Sequence, residues 1–335
     1  MASSPHKPIA ILGAGSWGTA LALYLARLDQ PVNLWTHEPA HAQQMQAARA
    51  NKQFLPQHPF PASIQVFEDI DAAVNNVEDI LIVVPSIGFR ETLNKIQPAL
   101  TPNTRVGWGT KGLDPTTGKL LHEVAKEVLG NSVACGVISG PSFAREVAAG
   151  LPTALVVATE NKNLSAEWIK RFNSPLLRVY SSNDITGVEI GGVVKNVLAI
   201  ATGISDGMKM GANARAALIT RGVAEMMRLG VSLGGKKETF MGLTGLGDLI
   251  LTATDDQSRN RRFGLGLGQG KTAAEVEKEI GQVIEGKQNT ESLVKLAKKQ
   301  KVEMPIVEAV WKLLQNQITL KEALQSLLTR APKEE

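Results

Sequence analysis

Short runs of β-branched and aliphatic residues alternate with helix-period segments through the first half of the chain. The runs are Ile9–Leu12, Val32–Trp35, Ile80–Val84, Arg105–Gly109, Val133–Ile138, Ala154–Ala158 and Leu177–Tyr180. Continuous apolar runs between helical patterns are strands covered on both faces, so this half predicts βαβ units around a parallel sheet. After Asp184 the strand-like runs stop. Helical patterns take over, from Gly187–Ser205 through Ala214–Leu229 to Val307–Leu314 and Leu320–Leu328. No low-complexity linker and no internal repeat marks the junction, so the change of period alone divides the chain into residues 1–187 and 188–335.

Composition agrees with two packed domains. The chain has 335 residues, 43% hydrophobic and 20% charged, which excludes a disordered, collagenous or disulfide-scaffold chain. The formal charge is only +4, and Lys and Arg are interspersed with acids, so nucleic-acid binding is not implied. The single cysteine, Cys135, lies in an apolar run and reads as a small buried hydrophobe in a reducing compartment. The N-terminus lacks a signal-type apolar core and no run of about 18 uncharged apolar residues occurs, so the expectation is a cytoplasmic protein with no membrane span.

The glycines are clustered. Ile9–Leu12 runs directly into Gly13-Ala14-Gly15-Ser16-Trp17-Gly18 and then into the helical segment from Thr19 to Ala26. This is G-x-G-x-x-G with a strand before it and a helix after it. Gly13 permits the tight turn, Gly15 lets the backbone approach a pyrophosphate, and Gly18 lets the helix pack on the strand. A dinucleotide is the expected ligand. The fold class is therefore α/β, an N-terminal Rossmann-type doubly wound, mostly parallel sheet followed by an all-α C-terminal domain. The end of the second strand, which in NAD-binding folds carries an acid for the ribose, here reads Thr36-His37-Glu38. Glu38 would suit NAD, whereas His37, helped by Arg49 or Lys52, would tolerate a 2′-phosphate, so NAD and NADP both stay open.

Two other motifs mislead. His37-Glu38-Pro39-Ala40-His41 spells the H-E-x-x-H zinc pattern, but Pro39 keeps the two histidines off one helix, and no metal is expected. Gly264 to Thr272 ends like a P-loop but has Leu265 where glycine is needed and no strand before it, so a glycine-rich loop is expected.

The chemistry concentrates on two charges. From Ile190 to Ser205 the one ionisable residue is Lys195, in a stretch apolar on all sides, and between Glu238 and Asp255 the one charge is Asp248. A buried ammonium must be paired or perform a task, and Asp248, flanked by Gly245 and Gly247, is the available partner. A structural ion pair would leave the same trace. Small-residue turns with donors follow two strands, Thr110-Lys111-Gly112 and Ser139-Gly140-Pro141-Ser142-Phe143-Ala144. Gln257-Ser258-Arg259-Asn260-Arg261-Arg262 collects donors suited to a phosphate. Together they point to a small phosphorylated substrate.

These segments, with Gly191-Gly192-Val193-Val194-Lys195-Asn196 and Gly245-Leu246-Gly247-Asp248-Leu249, closely resemble the bacterial NAD(P)-dependent glycerol-3-phosphate dehydrogenase family over nearly the whole chain. The resemblance implies interconversion of sn-glycerol 3-phosphate and dihydroxyacetone phosphate with NAD or NADP, for glycerophospholipid synthesis. It makes Lys195 the proton acceptor and puts Lys111, Gly140, Ser142, Asp248, Ser258, Arg259 and Asn260 at the substrate. It puts Ser16, Trp17, His37, Lys111, Ala144, Arg259, Val283 and Glu285 at the cofactor, beside the turn glycines Gly13, Gly15 and Gly18. Asn196 and Thr252 match positions that help at the site in related eukaryotic enzymes. Nothing carries over for the loop Phe54 to His58, and monomer and homodimer stay open. The competing readings are another β-hydroxyacid-type dehydrogenase and a non-catalytic NAD(P)-sensing protein.

Overall fold

The computed structural model describes residues 7–329. The ends 1–6 and 330–335, the first of which begins the stretch read above for a leader, lie outside the described residues. The chain divides into two compact units: residues up to Asp114 with Lys119–Ile185, and Pro115–Gly118 with the chain from Thr186 onward.

The first unit is an eight-stranded sheet. Its strands are β1 (Ile9–Leu12), β2 (Val32–Trp35), β3 (Ile64–Phe67), β4 (Asp79–Ile82), β5 (Arg105–Trp108), β6 (Ala134–Ser139), β7 (Thr153–Ala158) and β8 (Leu177–Ser182), in spatial order β3-β2-β1-β4-β5-β6-β7-β8. Every neighbouring pair is parallel except β6 and β7. The order reverses at β1, which pairs with both β2 and β4. In such sheets the crevice at the carboxyl ends of the two diverging strands takes the ligand. Seven helices connect the strands: α1 (Ser16–Arg27), α2 (Pro39–Ala48), α3 (Ile70–Val74), α4 (Ser86–Ile96), α5 (Leu121–Leu129), α6 (Ala144–Ala149) and α7 (Lys162–Phe172).

Several strand limits differ from those expected. β3 escaped the pattern because it is a four-residue edge strand, Ile-Gln-Val-Phe, with Gln65 on its exposed side. The expected run Ile80–Val84 is shifted: Asp79 joins the ladder, while Val83 and Val84 leave it for the turn beside Gly13. Asp79 sits in a strand because it is paired on all sides. It is 1% exposed and accepts from Arg105 Nε at 2.6 Å, Arg105 Nη2 at 3.0 Å and Trp168 Nε1 at 2.7 Å, with Arg171 Nη2 also at 3.0 Å. Burial pushes its carboxyl up, but the Arg105 hydrogen bond and the charges of Arg171 and Arg105 outweigh it and hold the group below the usual aspartate range. Gly107 makes room for this cluster, since a Cβ there would lie 2.1 Å from the Trp168 ring. Cys135, on β6, is half-buried, and burial pushes its thiol up to about 12, so it stays protonated.

The second unit is helical: α8 (Ile185–Gly207), α9 (Gly211–Ser232), α10 (Lys237–Met241), α11 (Asp248–Thr254), α12 (Arg259–Gly268), α13 (Ala273–Ile280), α14 (Glu285–Lys299), α15 (Pro305–Leu314) and α16 (Leu320–Leu328). α8 is long and apolar enough to cross a membrane, but almost all of it is buried within the protein as a core helix. Of the loop expected from Gly264 to Thr272, the part up to Gly268 is instead the second half of α12, and only Gln269 to Thr272 link it to α13. Its glycines are there for close approach: a Cβ at Gly264 would lie 2.0 Å from Ile200 O, and one at Gly268 2.3 Å from Ile204 O. Across the seam, Gly203 and Gly207 on α8 face Arg261 O and Leu265 O in the same way, so the two helices touch backbone to backbone.

Glu225 on α9 is 2% exposed and accepts from Ile306 N at 2.7 Å and Val307 N at 3.3 Å, closing the N-terminus of α15. Burial pushes its carboxyl from 4.5 up to about 7, against the pull of those two amides. Between these values the folded chain holds a proton that the unfolded chain has lost. The stability Glu225 contributes is therefore full below 4.5 and is lost as pH rises through about 7. Glu225→Gln should flatten this slope. Chemical denaturation at pH 5, 6, 7 and 8 checks it, and parallel pH dependence in both proteins would contradict it.

Candidate functional site

In the first unit the glycine turn bears the marks of a dinucleotide cradle. Gly13 has φ +119°, and a Cβ there would lie 2.6 Å from Val83 O. A Cβ on Gly18 would lie 1.9 Å from Gly13 O, so helix and strand can meet only through glycine. Gly15 differs: a Cβ there would meet nothing within 4 Å, leaving open space over the turn. Gly15 is also the N-cap of α1, whose first turn has no side-chain cap and no acid, which suits an anion at its N–H groups. Ser16 and Trp17 open that helix, and the Trp17 indole lies against Gly109 at the end of β5.

Asn51 supports the turn, a role the sequence did not disclose. It is fully buried and donates through Nδ2 to Ala14 O and to Thr19 Oγ1, both at 2.8 Å. Its Oδ1 lies 3.1 Å from His41 Nε2 and accepts from Phe54 N at 3.3 Å. Phe54, the first residue of the loop Phe54 to His58, thus reaches the glycine turn through its backbone bond to Asn51. His41 lies within α2 while His37 precedes it, exposed, 3.6 Å from Glu38. Pro39 occupies the first turn of α2, and no group of three or more His, Cys, Asp or Glu among the described residues is placed to hold a metal. Arg49, named with Lys52 as a residue that could help His37 at a 2′-phosphate, donates to Pro61 O at 2.6 Å and Ile64 O at 3.0 Å.

Two further turns end strands of this sheet. Thr110 Oγ1 donates to Val84 O at 2.8 Å, tying the turn that carries half-buried Lys111 to the end of β4. Gly140 follows β6 with φ +142° and a Cβ position 2.8 Å from Ala154 O, so it too must be glycine. Ser142 Oγ donates to Gly140 O at 2.9 Å, and Ala144 starts α6. At the same strand end Ser139 Oγ is buried without a hydrogen-bond partner among the described residues.

In the second unit Lys195 and Asp248 meet. Lys195 Nζ donates to Asp248 Oδ1 at 2.5 Å and to Thr252 Oγ1 at 2.9 Å, and Thr252 Oγ1 donates to Asp248 O at 2.6 Å. Lys195 is 6% and Asp248 1% exposed, so the ammonium is held in low-dielectric surroundings. A π turn, Leu243–Gly247, precedes Asp248 and delivers its carboxylate to the first position of α11, where the helix dipole favours an anion. Gly191 permits the approach, since a Cβ there would lie 2.4 Å from Thr244 O.

The expected phosphate donors gather at the start of α12. Ser258 is its N-cap and accepts from Arg261 N at 3.1 Å, and among the described residues the Arg259 guanidinium makes a long contact of 3.4 Å to Gln282. Asn260 is turned inward, bonded to Asn196 and to Gly286 N. Arg261 is structural, paired with Asp206 at 2.7 Å and with Asp256. Val283 is exposed just before α14, and Glu285, the first residue of that helix, accepts from Asn196 at 3.1 Å.

The chain matches two family models, the N-terminus of NAD-dependent glycerol-3-phosphate dehydrogenase over residues 8–165 and its C-terminus over residues 184–325. It is 53% identical over 332 residues to the glycerol-3-phosphate dehydrogenase (NAD(P)+) of Coxiella burnetii strain RSA 331, covering 99% of each chain. Against that of Tolumonas auensis it is 52% identical, covering 98% of each. A crystal structure of the Coxiella burnetii glycerol-3-phosphate dehydrogenase superposes with a TM-score of 0.94 at 53% identity, over 97% of this chain and 99% of that one.

Proposed function

The chain belongs to the NAD-dependent glycerol-3-phosphate dehydrogenase family, and from that premise we propose that it interconverts sn-glycerol 3-phosphate and dihydroxyacetone phosphate with NAD(H) or NADP(H). In this reading residues 1–187 hold the dinucleotide and residues 188–335 the substrate, and the product serves glycerophospholipid synthesis in the cytoplasm. The observation that carries the chemistry is the buried Lys195 ammonium, fixed by Asp248 and Thr252.

When bound, the nicotinamide supplies or removes a hydride at C2. Gly13, Gly15 and Gly18, with the first turn of α1, would take its pyrophosphate; Ser16, Trp17, His37, Lys111, Ala144, Arg259, Val283 and Glu285 would complete its contacts. In the reducing direction Lys195 donates its proton to the C2 oxygen as negative charge grows there. In the oxidising direction neutral Lys195 removes the hydroxyl proton. Asp248 and Thr252 fix where Nζ points, so little reorganisation accompanies the transfer. The ammonium is itself the electrophile, and the reaction asks for no metal. Lys111, Gly140, Ser142, Ser258, Arg259 and Asn260 would hold the rest of the substrate, with Arg259 on the phosphate by its planar fork.

Initial rates with dihydroxyacetone phosphate and NADPH or NADH test reaction, substrate and cofactor together, and no oxidation of either cofactor would overturn the reading. Arg259→Ala should raise KM for dihydroxyacetone phosphate by about 10- to 100-fold, the worth of a charge-assisted hydrogen bond. An unchanged KM would move the phosphate site elsewhere.

A further inference from the structure

Three segments of the helical unit are joined in a closed ring of hydrogen bonds next in sequence to Lys195. Asn260 on α12 donates through Nδ2 to Asn196 Oδ1 on α8 at 2.9 Å, and its own Oδ1 accepts from Gly286 N on α14 at 2.9 Å. Asn196 donates through Nδ2 to Glu285 Oε2 at 3.1 Å. Because Glu285 and Gly286 are successive residues, the path returns to its start. Gly286 is pressed onto the ring, for a Cβ there would lie 2.6 Å from Asn196 O and 2.9 Å from Asn260 Oδ1. Asn196 and Asn260 are both buried, so breaking any one bond is costly and the members move together.

The two ends of the ring have different tasks in the function proposed above. Asn260 belongs to the segment assigned to the substrate phosphate, and Glu285 to the segment assigned to the cofactor. Resting on that reading, we propose that the Asn196–Asn260–Glu285–Gly286 ring couples the two ligands, so that each tightens the binding of the other, with Asn196 as the positioning residue between them. Each amide nitrogen carries a second N–H beyond the one the ring uses. A phosphate oxygen accepting from Asn260 fixes the plane of that amide. The fixed plane aligns Oδ1 on Gly286 N and Nδ2 on Asn196, and Asn196 then holds the Glu285 carboxylate in one orientation. The cofactor meets a segment that is already ordered, and the cost of ordering falls on whichever ligand binds first. By linkage the factor is the same in both directions.

NADPH and sn-glycerol 3-phosphate are both reduced, so they bind together without turnover and the coupling is read at equilibrium. NADPH fluorescence titrations of the full chain, with and without saturating sn-glycerol 3-phosphate, should give a Kd about 5-fold or more lower in its presence. In Asn196→Ala and Gly286→Ala that ratio should fall to about one, while each ligand alone still binds and the melting curve stays cooperative. Glu285→Gln keeps an acceptor oxygen for Asn196 and should preserve the ratio even if NADPH affinity changes. A ratio of one in the unmodified protein with both ligands bound overturns the coupling alone, as does an undiminished ratio in both ring variants. No NADPH binding at all overturns the dehydrogenase reading and this inference with it.

Discussion

Lys195→Met should keep cofactor binding and lose turnover by on the order of 10⁴-fold. Positioned proton transfer and a preorganised charge at a developing alkoxide each contribute about two to four orders of magnitude, and in the proposed reaction one ammonium supplies both. The substitution also leaves Asp248, 1% exposed, facing a methionine. Removing one partner of a buried ion pair destabilises a fold by about 3–5 kcal/mol. Activity loss therefore has to be separated from unfolding. Pairing Lys195→Met with Asp248→Leu should restore the melting temperature, since replacing both members of a buried pair by apolar groups is often neutral. It should not restore turnover. Steady-state kcat, NADPH titration and thermal melts on both variants make the comparison. If Lys195 and Asp248 were only a structural pair, Lys195→Met would melt early yet turn over normally below its transition.

Gly264→Ala should destabilise the helical unit by about 3 kcal/mol or more, a fall in melting temperature of about 6–12 °C. In an isolated helix the same change would stabilise by about 1 kcal/mol. The sign reverses because the new Cβ would lie 2.0 Å from Ile200 O, so α12 and α8 must move apart along their whole seam. Gly15→Ala is the contrast. Its Cβ meets nothing within 4 Å and its φ of −73° suits any residue, so stability should hold while the Kd for NADPH rises. Melting curves and cofactor titrations on both variants check the pair. Equal melting temperatures for Gly264→Ala and the unmodified protein would contradict the close seam.

Much of the site is legible in sequence because its chemistry is local or stands out by contrast. G-x-G-x-x-G follows from the backbone of one turn, and Lys195 and Asp248 show as single charges in apolar stretches, a pattern that survives any packing. Other features depend on partners far along the chain. Asp79 reads as the polar edge of a strand until Arg105, Arg171 and Trp168 are seen around it. Asn51 is an ordinary loop residue in sequence, and only the fold brings it under Ala14, 37 positions away. The glycines from Gly264 to Gly268 have the composition of a loop, and composition cannot distinguish a helix that needs glycine for contact from a segment that uses it for freedom.

By itself the sequence determined the alternation of strand and helix, the change to helices near residue 187, the dinucleotide turn and the identity of the two buried charges. These depend on periodicity and on residue chemistry, which are properties of neighbours in the chain. Only the tertiary structure decided that Thr252 shares Lys195 with Asp248, that Arg49 is committed to backbone carbonyls, and that Asn260 turns inward to Asn196 and Gly286. A hydrogen bond is set by distance and direction between groups that the chain keeps far apart, and packing alone brings them together.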